Sequence, residues 1–141
     1  MNVGFKASLK EIREMFSIFD DELDKFNQII DMGKKSEGLN NEEKNNDNRI
    51  IGCTSQSWVV TTIDKQNNLF IRTDSEAIIV RGLLYILERI LNGNNKELIN
   101  DIEAKDILEN IDLNRNLTSQ RTNGFISAIT KIRSQIYNGN R

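Results

Sequence analysis

Cys53 is the single thiol of the 141-residue chain, and it lies five residues before the single tryptophan, in Arg49-Ile50-Ile51-Gly52-Cys53-Thr54-Ser55-Gln56-Ser57-Trp58. Gly52 lets the backbone turn sharply or approach a neighbour closely just ahead of the sulfur. Thr54, Ser55, Gln56 and Ser57 supply the polar groups of a loop, and Arg49 is near enough in sequence to favour a thiolate. A cysteine between a polar loop and the start of a strand is placed for exposure. The competing reading is a small buried hydrophobe.

The rest of the composition narrows what such a thiol can do. The chain has no histidine, so neither a Cys-His pair nor a Ser-His-Asp triad can be assembled from it. One cysteine excludes an internal disulfide and any multi-cysteine zinc or iron–sulfur site. Attack on a sulfur–sulfur bond asks for less, because it requires only a thiolate and a displaceable sulfur. The net charge of -2 gives no basic surface for nucleic acid or an anionic membrane. No apolar run approaches the ~20 residues of a membrane span, and Met1 to Lys6 has no apolar core of a leader. A free thiol without a leader leads us to expect a cytoplasmic protein.

Two further clusters bear on the cysteine. Asp74-Ser75-Glu76 is either a helix cap or an acidic contact beside the cysteine loop. Arg121 opens the last helix and is either a surface residue or the partner of an acid near that loop, and Gly124 inside the same helix marks close packing. Trp58 reads as a core anchor.

The elements that must position these residues follow from periodicity. Ser8-Leu9-Lys10-Glu11 reads as a capping box before a helix carrying Leu9, Ile12, Met15, Phe16 and Phe19. Asp20-Asp21 caps a second helix with the stripe Leu23, Phe26, Ile29 and Ile30, closed near Gly33 or Gly38 with Lys34-Lys35 at its negative end. Residues 36–48 are asparagine-rich and nearly free of apolar side chains, a loop long enough to be mobile. Arg49-Ile50-Ile51 is a short strand ended by Gly52. Residues 58–63 and 69–73 are β-branched-rich strands around the turn 64–68. Asp74 or Ser75 starts a helix over 77–91 that is apolar on most sides and therefore central, with Gly93 after its end. Short helical patterns at 96–100 and 103–110 precede a last helix capped by Thr118 or Ser119. Its stripe is Phe125, Ile126, Ile129, Ile132 and Ile136, closed by Gly139. These elements predict an α+β fold: one domain over residues 1–141 with a small antiparallel β-sheet packed against helices.

The cysteine stretch resembles the G-C-x-S-x-x-W signature of the SufE family. Thr73-Asp74-Ser75-Glu76-Ala77-Ile78-Ile79-Val80-Arg81-Gly82-Leu83 and Leu117-Thr118-Ser119-Gln120-Arg121-Thr122-Asn123-Gly124 resemble that family's second and third blocks, in order and at similar spacing. Thr54 stands where many members have glutamine and Phe125 where many have leucine. The resemblance implies a fold shared with iron–sulfur scaffolds of the IscU type. It also implies a function: accepting sulfur from a cysteine desulfurase, stimulating that enzyme, and passing the sulfur to downstream iron–sulfur assembly proteins. Cys53 matches the persulfide-forming position, and Asp74 and Arg121 match motif positions expected to contact a partner. No cofactor is expected on this chain, since pyridoxal phosphate belongs to the desulfurase. The competing functions are an iron–sulfur scaffold, which ordinarily offers several cysteine ligands, and a thiol redox or interaction module.

Overall fold

The computed structural model describes residues 3–138. Helix α1 spans Val3–Ser17 and α2 spans Glu22–Lys35. A single 3-10 turn at Asn46–Asn48 follows, then strands β1 (Ser57–Ile63) and β2 (Leu69–Ser75). Helix α3 (Ile78–Leu91), a 3-10 turn at Lys96–Asn100, α4 (Ala104–Asn110) and α5 (Ser119–Tyr137) complete the order. Among the described residues no helix is long and apolar enough to cross a membrane.

The organising element is α3. Leu83, Leu84, Ile86, Leu87, Ile90 and Leu91 are all buried along it, as a nearly all-round apolar helix demands. Truncating one of these to alanine costs about 2–5 kcal/mol. Helix α2 lies against α3 at unusually short range. A Cβ on Gly82 would sit 2.1 Å from the Ile29 carbonyl oxygen, and one on Gly33 would sit 2.7 Å from that of Ile78. Two glycines facing each other's helices let the backbones meet.

The hairpin pairs antiparallel with Ser57 opposite Ser75 and Ile63 opposite Leu69. Two strands alone are marginal in water, and here both outer edges are occupied. On β2, the Asn92 side chain accepts from Ile71 N at 2.7 Å and donates to its carbonyl at 3.1 Å, in place of a third strand. On β1, Gln135 of α5 donates to the Val59 carbonyl at 2.8 Å, and Ile50 N donates to the Ser57 carbonyl at 2.8 Å. The sheet thus joins α3 on one side to α5 on the other, with the cysteine loop between β1 and α5.

Several boundary expectations change. Helix α1 is already formed at Val3, so Ser8 lies inside it and the capping box is not used as one. Asp21 alone caps α2, accepting from Leu23 N at 2.9 Å, and Gly33 is interior to that helix, which stops at Ser36. Leu23 and Ile126 sit at the edges of their stripes and are 63% and 38% exposed. Arg49-Ile50-Ile51 makes one bridge, Arg49 to Trp58, instead of a strand, because Gly52 turns the chain at φ +103° immediately after. Asp74 and Ser75 belong to β2, whose ladder runs on to Ser57, and Ala77 occupies the cap position of α3. Thr118 caps α5, Gly93 follows α3 at φ +87°, and Gly139 lies outside the described residues.

Candidate functional site

The loop 52–56 carries Cys53 onto the flank of α5. With φ at +103°, Gly52 holds a backbone conformation that L side chains rarely adopt. It also passes so close to α5 that a Cβ there would lie 2.5 Å from Ser127 Oγ. The turn delivers the half-buried Cys53 with its Sγ 3.9 Å from the Gly124 carbonyl oxygen. Gly124 faces the sulfur with no side chain, and a Cβ on it would be 3.1 Å from Sγ.

Beside the sulfur is a cavity of about 190 Å³. Its wall is apolar where α3 and α5 meet, formed by Ala77, Val80, Leu83, Leu84 and Phe125, and polar at Thr118, Gln120 and Arg121. Burial pushes the Cys53 thiol above its ordinary value, and the Ser57 hydroxyl works weakly against that. The expectation that Arg49 favours a thiolate is therefore not met: burial is the largest influence on the sulfur and Ser57 the one that opposes it, so the resting sulfur is a neutral thiol at physiological pH.

The far end of the loop is anchored by hydroxyls. Ser57 and Ser75 are opposite one another in the ladder, with Oγ atoms 2.9 Å apart. Ser75 Oγ donates to the Gln56 carbonyl at 3.2 Å and accepts from Ala77 N at 3.2 Å. The last residues of the loop, the end of β2 and the entry to α3 are joined by this small network.

Asp74 lies one residue from that network and is 5% exposed. One carboxylate oxygen accepts from Ser75 N at 2.8 Å, and the other from Leu39 N at 2.9 Å. Lys44 Nζ lies 3.2 Å away, and the otherwise unpartnered Arg81 Nε lies 3.7 Å away. Burial acts to raise this carboxyl, but the two backbone N–H groups, Lys44 and Arg81 overcome it and hold the group below its ordinary value. Arg81 also donates to the Ser36 carbonyl at 2.8 Å, and Lys44 extends over the Trp58 ring at 5.6 Å. One carboxylate therefore ties the loop 36–48 to β2 and α3.

Arg121 is directed otherwise. Its guanidinium lies over the Phe26 ring of α2 at 5.9 Å, and the residue lines the cavity. The structure thus brings Arg121 and Cys53 to one cavity and buries Asp74. The pairing of Arg121 with an acid near the loop does not form with Asp74. Sequence reasoning missed Lys44, Arg81 and Ser57 as members of the site's support. Lys44 resembled every other solvated charge of its loop, and Arg81 was one polar residue of an apolar helix. Ser57 had a signal, since its type recurs at the opposite ladder position Ser75.

A small helix-packed hairpin that seats one loop thiol over an apolar cavity defines a thiol-presenting α+β protein. Residues 10–136 match the model of the SufE Fe-S metabolism associated domain. The chain is 37% identical over 134 residues to an uncharacterized SufE-like protein of Rhizobium etli, covering 93% of this chain and 90% of the relative. It is 36% identical over 132 residues to a second such protein, of Rhizobium meliloti, covering 92% and 94%. Its fold is similar to the solution structure of a hypothetical protein from Thermus thermophilus, with a TM-score of 0.73 and 17% identity over 92% of this chain and 93% of that one. The chain belongs to the SufE family, which assigns it to Fe–S metabolism.

Proposed function

We propose that the chain accepts sulfur from a cysteine desulfurase onto Cys53, stimulates that enzyme, and relays the sulfur for iron–sulfur cluster assembly. The observation that carries the reading is the space beside Sγ. The cavity of about 190 Å³ is several times the ~30 Å³ that one water occupies in the liquid, so a second sulfur atom fits behind the first.

The transfer balances without an added oxidant. The Cys53 thiolate attacks the outer sulfur of a cysteine persulfide on the donor enzyme. A new S–S bond forms to Cys53, the donor's S–S bond breaks, and its inner sulfur leaves as a thiolate. The proton given up by the Cys53 thiol goes to solvent or to the departing thiolate. No cofactor on this chain is needed in this reading, because pyridoxal phosphate stays with the desulfurase that makes the persulfide. Since burial keeps the resting thiol neutral, the loop opens on contact with the donor before attack, and closes to shield the loaded sulfur from stray thiols and oxidants. Arg121, in the lining of the cavity, is the contact residue. Asp74 acts through the loop 36–48 that it anchors. The reaction is assigned to the cytoplasm, where thiols are kept reduced.

Incubation with a desulfurase and sulfur-labelled cysteine tests the reading. Label is expected on Cys53, with faster desulfurase turnover in the presence of the protein. Label retained at the parent level by a folded Cys53→Ser variant would defeat it. A scaffold reading has less behind it, since only one thiol is present to bind a cluster.

A further inference from the structure

We infer that Gly124 is the positioning residue for the Cys53 thiol: the missing side chain at this one helical position forms the seat in which the sulfur rests, and a Cβ there presses on Sγ and displaces it from that seat. The inference deepens the sulfur-acceptor reading and rests on it for its purpose.

Helix α5 offers two neighbouring contacts to the loop, three residues apart and so on one face. Ser127 lies under Gly52 and Gly124 under Cys53. The two contacts differ in kind. At Gly52 the strain is double, since a side chain there would meet Ser127 Oγ at 2.5 Å on a backbone already at φ +103°. At Gly124 the helix itself asks for no glycine; α5 continues on both sides of it, and Gly124 has no positive φ. Glycine at an interior helical position is destabilising by roughly 0.5–1 kcal/mol relative to alanine. What the position supplies is room: a Cβ would stand 3.1 Å from Sγ, closer than carbon and sulfur normally pack.

The seat also selects the state of the sulfur. The Gly124 carbonyl, 3.9 Å from Sγ, accepts from an S–H and repels a thiolate. The cavity lining is apolar at Leu84, Val80 and Phe125, while Arg121 is its charged member and the Ser57 hydroxyl works in favour of the thiolate; burial is the larger influence. A docked sulfur therefore holds its proton more tightly, and an undocked one reaches solvent and ionises at its lower, ordinary value. Gly124 sets the balance between the two by making the docked position sterically available.

The test is the pH profile of Cys53 alkylation by iodoacetamide in the full chain, for parent and Gly124→Ala. Alanine favours the helix, so loss of α5 is not the expected consequence. The variant is expected to show a midpoint lower by about one unit and alkylation near neutral pH faster by about tenfold, because below the midpoint the thiolate fraction rises tenfold per unit. Gly52→Ala, which undocks the loop from its other contact, is expected to move the profile the same way. Ile126→Ala, on the exposed face of the same helix, keeps the parent profile. A parent-like profile in Gly124→Ala with the helical circular dichroism intact would overturn the assignment, as would an equal shift in Ile126→Ala. The readout needs no desulfurase: if Cys53 is not a sulfur acceptor, labelling by the enzyme fails while the alkylation shift remains.

Discussion

Two loops meet at the hairpin, and they are held in opposite ways. The segment 36–48 is long, polar and firmly tied. Asp74 receives Leu39 N and Lys44, Arg81 binds the Ser36 carbonyl, and Arg72 makes a paired contact with Glu43. Within the segment Asn48 N donates to Asn45 at 3.0 Å, and the Asn48 side chain in turn donates to the Glu43 carbonyl at 3.0 Å. The loop 52–56 is short and carries Cys53; its far end is held at Gln56, whose carbonyl accepts from Glu76 N at 3.0 Å and Ser75 Oγ at 3.2 Å, and at Ser57, while its tip rests on van der Waals contact and one 3.9 Å sulfur contact. Charge-assisted hydrogen bonds to a buried group are worth roughly 1.5–3 kcal/mol each, far more than a sulfur contact at that range. Of the two, the longer loop is the more firmly held. The proposed transfer, in which the thiol alternates between a shielded and an attacking position, asks for that division.

The contrast can be broken or sharpened by experiment. The largest effect is expected from Cys53→Ser, which should abolish sulfur labelling while leaving the thermal transition nearly unchanged, since a half-buried thiol on a weakly held tip adds little to stability. Next comes the longer loop. Asp74→Asn removes a buried carboxylate and strands Lys44 and Arg81, and it should destabilise the fold by about 2–3 kcal/mol in urea titration at neutral pH. Because the folded value lies below the ordinary 3.8, the contribution of Asp74 is fully present above that pH and is lost as pH falls through the folded value. The gap between parent and variant should therefore close in acid, and a gap that stays constant down to the acid transition would remove the ionised carboxylate from the explanation.

A smaller effect is expected on the tip itself. The folded thiol lies above its ordinary 9.0, so the stability it contributes is present below that value and is lost as pH rises through the folded value. Alkylation of the native protein should show a midpoint above 9.0, and in denaturant the midpoint should return to the ordinary value. A native midpoint below the denatured one would mean that a cation, and not burial, governs the sulfur. The smallest effect is expected from Glu43→Gln. This surface carboxyl is lowered chiefly by its hydrogen bond to Arg72, and solvent screens such pairs. The change in thermal midpoint should be less than that of Asp74→Asn, and a comparable change would show the loop to be held from its surface.

Much of the fold was legible without coordinates because its signals are local. The hairpin turn at 64–68, the apolar run of α3 and the Thr118 cap each depend on neighbouring residues. The errors are also local in origin. Asp74-Ser75 has the chemistry of a cap, and what overrides it is the pairing of Ser75 with Ser57, eighteen positions earlier. Asp74 therefore turned out to be an internal anchor whose chief contacts, Leu39 and Lys44, come from a segment that reads as bland polar loop.

The sequence by itself narrowed the chemistry: one cysteine, no histidine and a glycine before the thiol leave sulfur exchange among the few reactions that Cys53 is equipped for. The helical and strand periods that frame the thiol are equally a property of the residues in order. Only the tertiary structure decided the state of that thiol. The contact between Cys53 and Gly124 spans 71 positions, and the cavity draws its wall from α3 and α5 together. Burial, and with it the rise of the thiol above its ordinary value, arises from surfaces that meet only when the chain is folded, so no local pattern around Cys53 encodes it.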